Sequence, residues 1–371
     1  MKMTTPLNSN EANQVKLPRI AYLHPYIEAR RVEIQMDIYP KQHLWGCDAI
    51  ETENCWKASK ITAANSSVPR IFEKVLNRMF FRDSPGIRHE LAAWKASKSN
   101  DFIYSVCGPL SLASFYKKCK VFPWVFQALA QDITPPTYSY YRSHRNVHAG
   151  FMCLTPKAED FFSQFAPSRF IPWCVDMDLF DGRSAKEIPA KPFFLATGKT
   201  GRDYKTLVEG GAKINAEVRI IGPSNQKPDH LPPSVQWIDT SSNPPDQAID
   251  YPTLREWYAQ CTAVCIPLSG DAEDTCGYTN MLEGMAMRKP ILMTRSGCLH
   301  VDPESGGFGK LIEPQDSKGW TYAMNFLLQN QELVRSFGEA GRLLAEREFT
   351  IKRFNRDLVQ FLKERLTNRQ A

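Results

Sequence analysis

FFLATGKTGRDYKTL (193–207) is an apolar run that ends in Gly198-Lys199-Thr200 and passes into polar residues able to open a helix. A glycine and a lysine at the end of a strand suit a loop that cradles a triphosphate on its backbone N–H groups. That loop needs another glycine five residues before the Gly-Lys pair, where the chain turns around the phosphates. Position 193 is Phe, inside the expected strand, so the triphosphate loop is excluded. What remains is a strand that delivers a small residue and a cation at its carboxyl end.

The surrounding sequence repeats this unit. FFLAT is followed by a helix over Tyr204–Asn215, then by strands VRIIG and VQWI (235–238). A helix over Tyr251–Cys261, the buried strand TAVCIPL, a helix over Met281–Met287 and the strand PILMT complete the run. Short apolar strands alternating with amphipathic helices predict a doubly wound parallel sheet. Ligands of such sheets sit at the carboxyl ends of the strands, where Gly198-Lys199, Gly222-Pro223 and the 269–280 loop all fall. The first half repeats the theme with strands RIAYLHPY and DFIYSVCG, a helix over His89–Ser97, and HLWGCDAI between them. VFPWVFQAL runs to a turn at Pro135-Pro136, and FMCLTP leads into a helix with Thr155 as N-cap and Pro156 at its first position. FIPWCVDMDLF closes this half, with Asp176 expected to cap a turn at a hinge, and DGRSAKEIPAKP (181–192) reads as a linker.

The expected organisation is therefore a disordered polar tail (1–18), a Rossmann-like domain (19–182), a second one (183–350), and a last helix (351–371) crossing back to the first. A chain of 371 residues is long enough for two cores, and a cleft between them is a favoured ligand site. The net charge of +6 permits an anionic ligand or membrane surface, and no block of like charges calls for nucleic acid. No apolar run is long enough to span a bilayer, and MKMTTPLNSNEANQ lacks the apolar stretch of a signal peptide. A cytoplasmic location is expected. The ten cysteines show no C-x-x-C pairing and several sit within apolar runs, as reduced structural thiols do. Without HExxH or a Cys/His cluster, no metal is expected.

A second stretch, DAEDTCGYTNMLEGMAMRKPILMTRSG (271–297), places an acidic loop with a glycine before a helix that carries Glu283. Amides around Thr279, Asn280 and Met281 would be unpaired at the helix start and favour an anion. Gly277 would allow close approach of the ligand, and Glu283, one turn on, could accept hydrogen bonds from a sugar or ribose diol. Lys199 and Arg202 would meet the same anion from the neighbouring strand. A diphosphate held this way requires no metal. The acids Asp271, Glu273 and Asp274 could also be a solvated loop, and Lys199 a solvated charge.

The spacing Asp274-x-x-Gly277 followed by Glu283-Gly-Met285-Ala286-Met-Arg288-Lys289-Pro290-Ile resembles the Glu-x-x-Gly…Glu-Ala-Met-Ala-x-Gly-Lys-Pro-Val signature of the family-four retaining glycosyltransferases. Gly198-Lys199, Arg202-Asp203-Tyr204 and Val175-Asp176-x-x-x-Phe180 are similar to further motifs of that family, and the likeness extends from about 150 to 365. It implies the α/β GT-B fold, two Rossmann-like domains facing each other across a cleft. It also implies transfer of a hexosyl-like group, with retention and without metal, from a nucleoside-diphosphate sugar to a hydroxyl acceptor (glycan, lipid-linked or small molecule). No cofactor beyond the donor is implied. Lys199, Arg202, Glu283 and Asp274 would then be catalytic. Gly198, Gly277, Thr279, Asn280 and Met281 would bind donor, and His24 would face the acceptor. Departures are one extra residue between Gly277 and Glu283, which leaves Asp274 and Thr275 competing for the first acid position, Arg288 in place of a Gly at the helix end, and Pro25-Tyr26-Ile27-Glu28 where the family has a Gly-Gly turn. A non-catalytic nucleotide-sugar-binding subunit and a GT-B sugar-nucleotide epimerase are the alternatives.

PRIFEKVLNRMFFR (69–82) puts Ile71, Phe72, Val75, Leu76, Met79 and Phe80 on one helical face, flanked by Arg70, Lys74, Arg78 and Arg82. An interfacial helix at the inner face of a membrane and a helix buried by packing in its domain would both show this pattern.

Overall fold

Two six-stranded sheets, parallel throughout, organise the chain. The computed structural model describes residues 17–25, 27–62, 70–80, 86–106, 108–125, 146–182, 189–240, 249–269, 275–295 and 300–367. The tail to residue 16, the Pro135-Pro136 turn, most of the linker and Asp274 lie outside the described residues.

The first sheet contains β1 (Arg19–Leu23), β2 (Lys57–Ile61), β3 (Phe102–Ser105), β4 (Lys120–Val125), β5 (Phe151–Cys153) and β6 (Ser168–Phe170), in the order β2-β1-β3-β4-β5-β6. Its register aligns Tyr22, Tyr104 and Phe122 in one buried row. Strands covered on both faces are apolar at nearly every position, which is why β3 and β4 read as near-continuous runs. β2, with sequence KASKI, is an exposed edge strand and lacks that signal. Around this sheet run α1 (Ile27–Gln35), α2 (Cys47–Thr52), α3 (Arg70–Phe80), α4 (Ile87–Ser97) and α5 (Pro156–Phe162). α5 starts as expected, with the Thr155 hydroxyl accepting from Ala158 N at 3.2 Å.

The polar side of α3 holds it to α4. Glu73 pairs with Arg88 at 2.8 Å, and Asn77 Oδ1 accepts from Ile87 N at 2.9 Å. Its apolar side faces solvent: Phe72, Val75 and Met79 are 63, 49 and 66% exposed. Burial within the domain is therefore not the reason for its amphipathic pattern at these positions.

The second sheet contains β7 (Phe193–Thr197), β8 (Glu217–Pro223), β9 (Val235–Thr240), β10 (Ala263–Ile266), β11 (Ile291–Thr294) and β12 (Gly309–Ile312), in the order β12-β11-β10-β7-β8-β9. The winding reverses between β7 and β10, which opens a crevice at their carboxyl ends. Helices α6 (Tyr204–Gly211), α7 (Tyr251–Gln260), α8 (Tyr278–Ala286), α9 (Ser317–Gln329) and α10 (Gln331–Glu348) flank it, and α11 (Ile351–Thr367) follows. α6 is N-capped by Asp203, whose carboxylate accepts from Thr206 N at 3.1 Å. It ends four residues before the expected Asn215, with Gly210 and Gly211 giving the last turn room against Trp320 and Val218.

α11 packs on the first sheet. Phe354 stacks on Trp124 with centroids 5.4 Å apart, Phe361 meets Phe122 edge-on, and Glu364 pairs with Arg169 at 2.8 Å. The cysteines among the described residues are free thiols. Among the described residues no helix is long and apolar enough to cross a membrane, and no cluster of His, Cys, Asp and Glu could hold a metal.

Candidate active site

The crevice between β7 and β10 holds a cavity of about 140 Å³. Ile221, Ile249 and Leu254 form its apolar wall, and Lys199, Thr279, Asn280 and Glu283 its polar one. Two larger hollows lie on outer surfaces: about 400 Å³ beside Tyr322 and Phe326, and about 380 Å³ beside Arg31 and Glu51. Neither lies at a strand reversal of its sheet, whereas Gly198, Lys199, Thr279, Asn280 and Glu283 of the expected site line the small cavity.

α8 begins three residues earlier than the sequence suggests. Gly277 is its N-cap at φ 86°, and Met281 N already donates to Gly277 O at 2.9 Å. Met281 is thus removed from the set of open amides, and its side chain is fully buried. Thr279 and Asn280 line the cavity, and their N–H groups precede the first bond of the helix. The early start went unread because Gly277 offers no side-chain cap. A Cβ there would lie 2.5 Å from Ile266 Cγ2, so packing against β10 and the left-handed turn both favour the glycine.

Gly198, at φ 144°, has a similar reason: a Cβ would lie 2.4 Å from Arg202 Nη2. Arg202 folds across the end of β7, 9% exposed, and donates to Thr200 O at 2.7 Å, Thr197 O at 3.4 Å and Asn280 Oδ1 at 2.8 Å. It stands behind the cavity wall and does not line it. Among the described residues no carboxylate pairs with it, and its Nε is buried without an acceptor. Among the described residues only dipoles meet this buried cation, an arrangement that favours an anion in the crevice. Lys199, on the same loop, lines the cavity directly.

Glu283 is 1% exposed, at the cavity edge. Tyr258 Oη donates to its Oε2 at 2.9 Å and Gln42 Nε2 to its Oε1 at 3.3 Å. Burial pushes the carboxyl up to about 8, and the two neutral donors only partly oppose that. Gln42, from the first domain, is 2% exposed, and its Oε1 accepts from Asp176 N at 2.6 Å. The Asp176 carboxylate caps its own turn at Asp178 N and Leu179 N and accepts from Lys41 N at 2.8 Å. His43 Nε2 lies 3.2 Å from the hydroxyl of Tyr251, another cavity residue.

His24 follows β1, where the first sheet reverses its own winding, and does not line the cavity. Its Nε2 is 2.7 Å from His43 O, and burial lowers it to about 4, as it does His43. Tyr258 and Tyr251 could have been found from the one-face spacing 251, 254, 258 along α7. Gln42 had no local signal.

Residues 203–330, about a third of the chain, match the family described as Glycosyl transferases group 1. No curated protein matches the chain. Among solved structures, a sucrose-phosphate synthase from Thermosynechococcus elongatus is 15% identical with a TM-score of 0.63, over 95% of this chain and 100% of that one. A glycosyltransferase from Rickettsia africae is 13% identical with a TM-score of 0.61, over 95% and 99%. HepE of Anabaena, solved with UDP-glucose, is 12% identical with a TM-score of 0.62, over 93% and 99%. These likenesses show a two-domain α/β fold of the GT-B kind.

Proposed function

We propose that the protein transfers a glycosyl group from a nucleoside-diphosphate sugar to a hydroxyl acceptor, with retention and without a metal. The observation that carries this reading is the β7–β10 crevice, where Lys199, Thr279, Asn280 and Glu283 line one cavity and the buried Arg202 guanidinium stands behind its wall, bonded to Asn280. A diphosphate fits that arrangement, and the apolar wall of Ile221, Ile249 and Leu254 suits a base. The matched family and the UDP-glucose complex of HepE support the same assignment.

In the reaction the bond from the anomeric carbon to the diphosphate breaks and its electron pair stays on the phosphate oxygen. Oriented positive groups stabilise that charge as it develops. The acceptor oxygen bonds to the anomeric carbon and its proton leaves to the departing phosphate or to water. Glu283 would hold the ribose or sugar hydroxyls. Asp274, by its spacing to Gly277, would act on the sugar, and His24 would serve the acceptor side. The test is release of nucleoside diphosphate from UDP-, GDP- and ADP-sugars with and without EDTA, and NMR of the product anomer. Turnover of one donor in EDTA is expected. Donor binding without turnover would favour a non-catalytic subunit, and conversion of the sugar without release an epimerase.

The exposed apolar side of α3, with Lys74 and Arg78 beside it, supports peripheral contact with an anionic membrane and hence a lipid-linked acceptor.

A further inference from the structure

We infer that Gln42 is a positioning residue through which the first domain sets the Glu283 carboxyl for the donor. This rests on the donor site proposed above. The amide is held at both ends. Asp176 N–H can only donate, so the Gln42 oxygen must face it, and the NH₂ is thereby turned toward Glu283 241 positions away. The opposite carboxyl oxygen is fixed by similar logic. Asn280 Nδ2 donates to Tyr258 Oη at 3.4 Å, so the tyrosine spends its own proton on Glu283 Oε2.

Both carboxyl oxygens therefore accept, which favours the ionised form, and each keeps a lone pair for a ligand hydroxyl. The chain of contacts continues from Asn280 to Arg202, so Gln42 is the first-domain end of a network that reaches the phosphate loop. The other groups facing Glu283 are Tyr258 and Tyr251 of α7 and Tyr39 of the first domain. Arg30 sits 4.9 Å over the Tyr39 ring, and Lys199 stands across the cavity. Among the described residues, only Gln42 joins the carboxyl to the backbone at Asp176. Any relative displacement of the two domains would move this donor with respect to Glu283.

The test compares wild type with Gln42→Met, Gln42→Glu, Glu283→Gln and the Gln42→Met/Glu283→Gln pair. UDP, GDP and ADP are titrated calorimetrically from pH 5.5 to 9.5, and thermal unfolding of each variant is recorded. Gln42→Met keeps the volume and loses both hydrogen bonds, so it should weaken nucleotide binding about tenfold near neutral pH and raise its pH midpoint by about one unit. Much of the affinity should return above that midpoint. Gln42→Glu should bind worse still, because it sets a second carboxyl against Glu283. The two substitutions should be non-additive in the paired variant. A fall in unfolding temperature with the pH midpoint unmoved would make Gln42 a structural bridge only and overturn the inference, leaving the donor site standing. Non-additive stabilities across the variants, together with a wild type that binds none of the nucleotides, would instead overturn the donor-site reading, and the positioning role with it.

Discussion

Lys199 and Arg202 carry the same charge three residues apart and stand in different surroundings. Lys199 borders the cavity, so Lys199→Ala should preserve the fold and cut kcat by about a hundredfold or more, near 3 kcal/mol of barrier, with a smaller effect on donor affinity. Steady-state kinetics and calorimetry together check this, and equal losses confined to KM would make it a uniform binding group. Arg202 is a buried strut to two carbonyls and Asn280, so Arg202→Lys should lower stability as well as turnover, since an ammonium cannot reproduce the fork. A third cation, Arg288, occupies the left-handed position after α8 at φ 56°. Lys289 N donates to Gly284 O and Arg288 N to Met285 O there, the pattern that a glycine usually completes. Its ion pair with Glu339 is half-exposed and contributes little. Arg288→Gly should therefore stabilise by up to about 1 kcal/mol, whereas Arg288→Ala, which keeps the strain, should destabilise. Denaturant midpoints decide between them.

At the scale of elements, legibility followed burial in part, since VQWI, an edge strand with exposed positions, was read as well. VRIIG, TAVCIPL and PILMT were readable as strands because both of their faces are covered, while the edge strand KASKI carries no such pattern. The Thr155-Pro156 start of α5 was legible from its cap, and the start of α8 was not, because a left-handed glycine turns the chain without a side-chain signal. α3 is a different case: its periodicity was plain, and only the fold shows that the apolar side is outward. If that side lies on a membrane, the protein should co-sediment with anionic vesicles at low salt and not with neutral ones. Reversing Lys74 and Arg78 to Glu should lower binding about tenfold or more, as each basic group near the surface contributes about 1 kcal/mol. Absence of binding to anionic vesicles, or binding indifferent to the reversals, would point to a soluble acceptor.

For the whole molecule, the buried groups set opposing pH limbs. His24, His43 and His300 are each held near 4, below their ordinary 6.5, so the unfolded chain binds more protons and stability falls as pH drops from about 6.5 toward 4. Glu283 is held near 8, above its ordinary 4.5, so the folded chain binds more protons and stability falls as pH rises through that window. The unfolding temperature should peak near pH 6.5, with the steeper limb on the acid side. In Glu283→Gln the decline between pH 6.5 and 8 should flatten; a decline unchanged by that substitution would assign it to another group. None of this was legible beforehand, because the partners that bury Glu283 lie far away in the chain. The periodicity of the α8 region announces a helix, and only the assembled domains show that Gln42 reaches it.

The packing of α11 on the first sheet has a consequence for biosynthesis. Domains emerging from a ribosome ordinarily fold in the order they are made. Here the strands from β1 to β6 are synthesised first, yet Trp124 and Phe122 receive Phe354 and Phe361 only after the whole second sheet has been translated. The nascent first sheet must wait with those aromatic surfaces uncovered while the second folds. A chain truncated after residue 350 should therefore hold a finished second sheet and an adhesive first one, recognisable by chaperones that bind exposed aromatic surface.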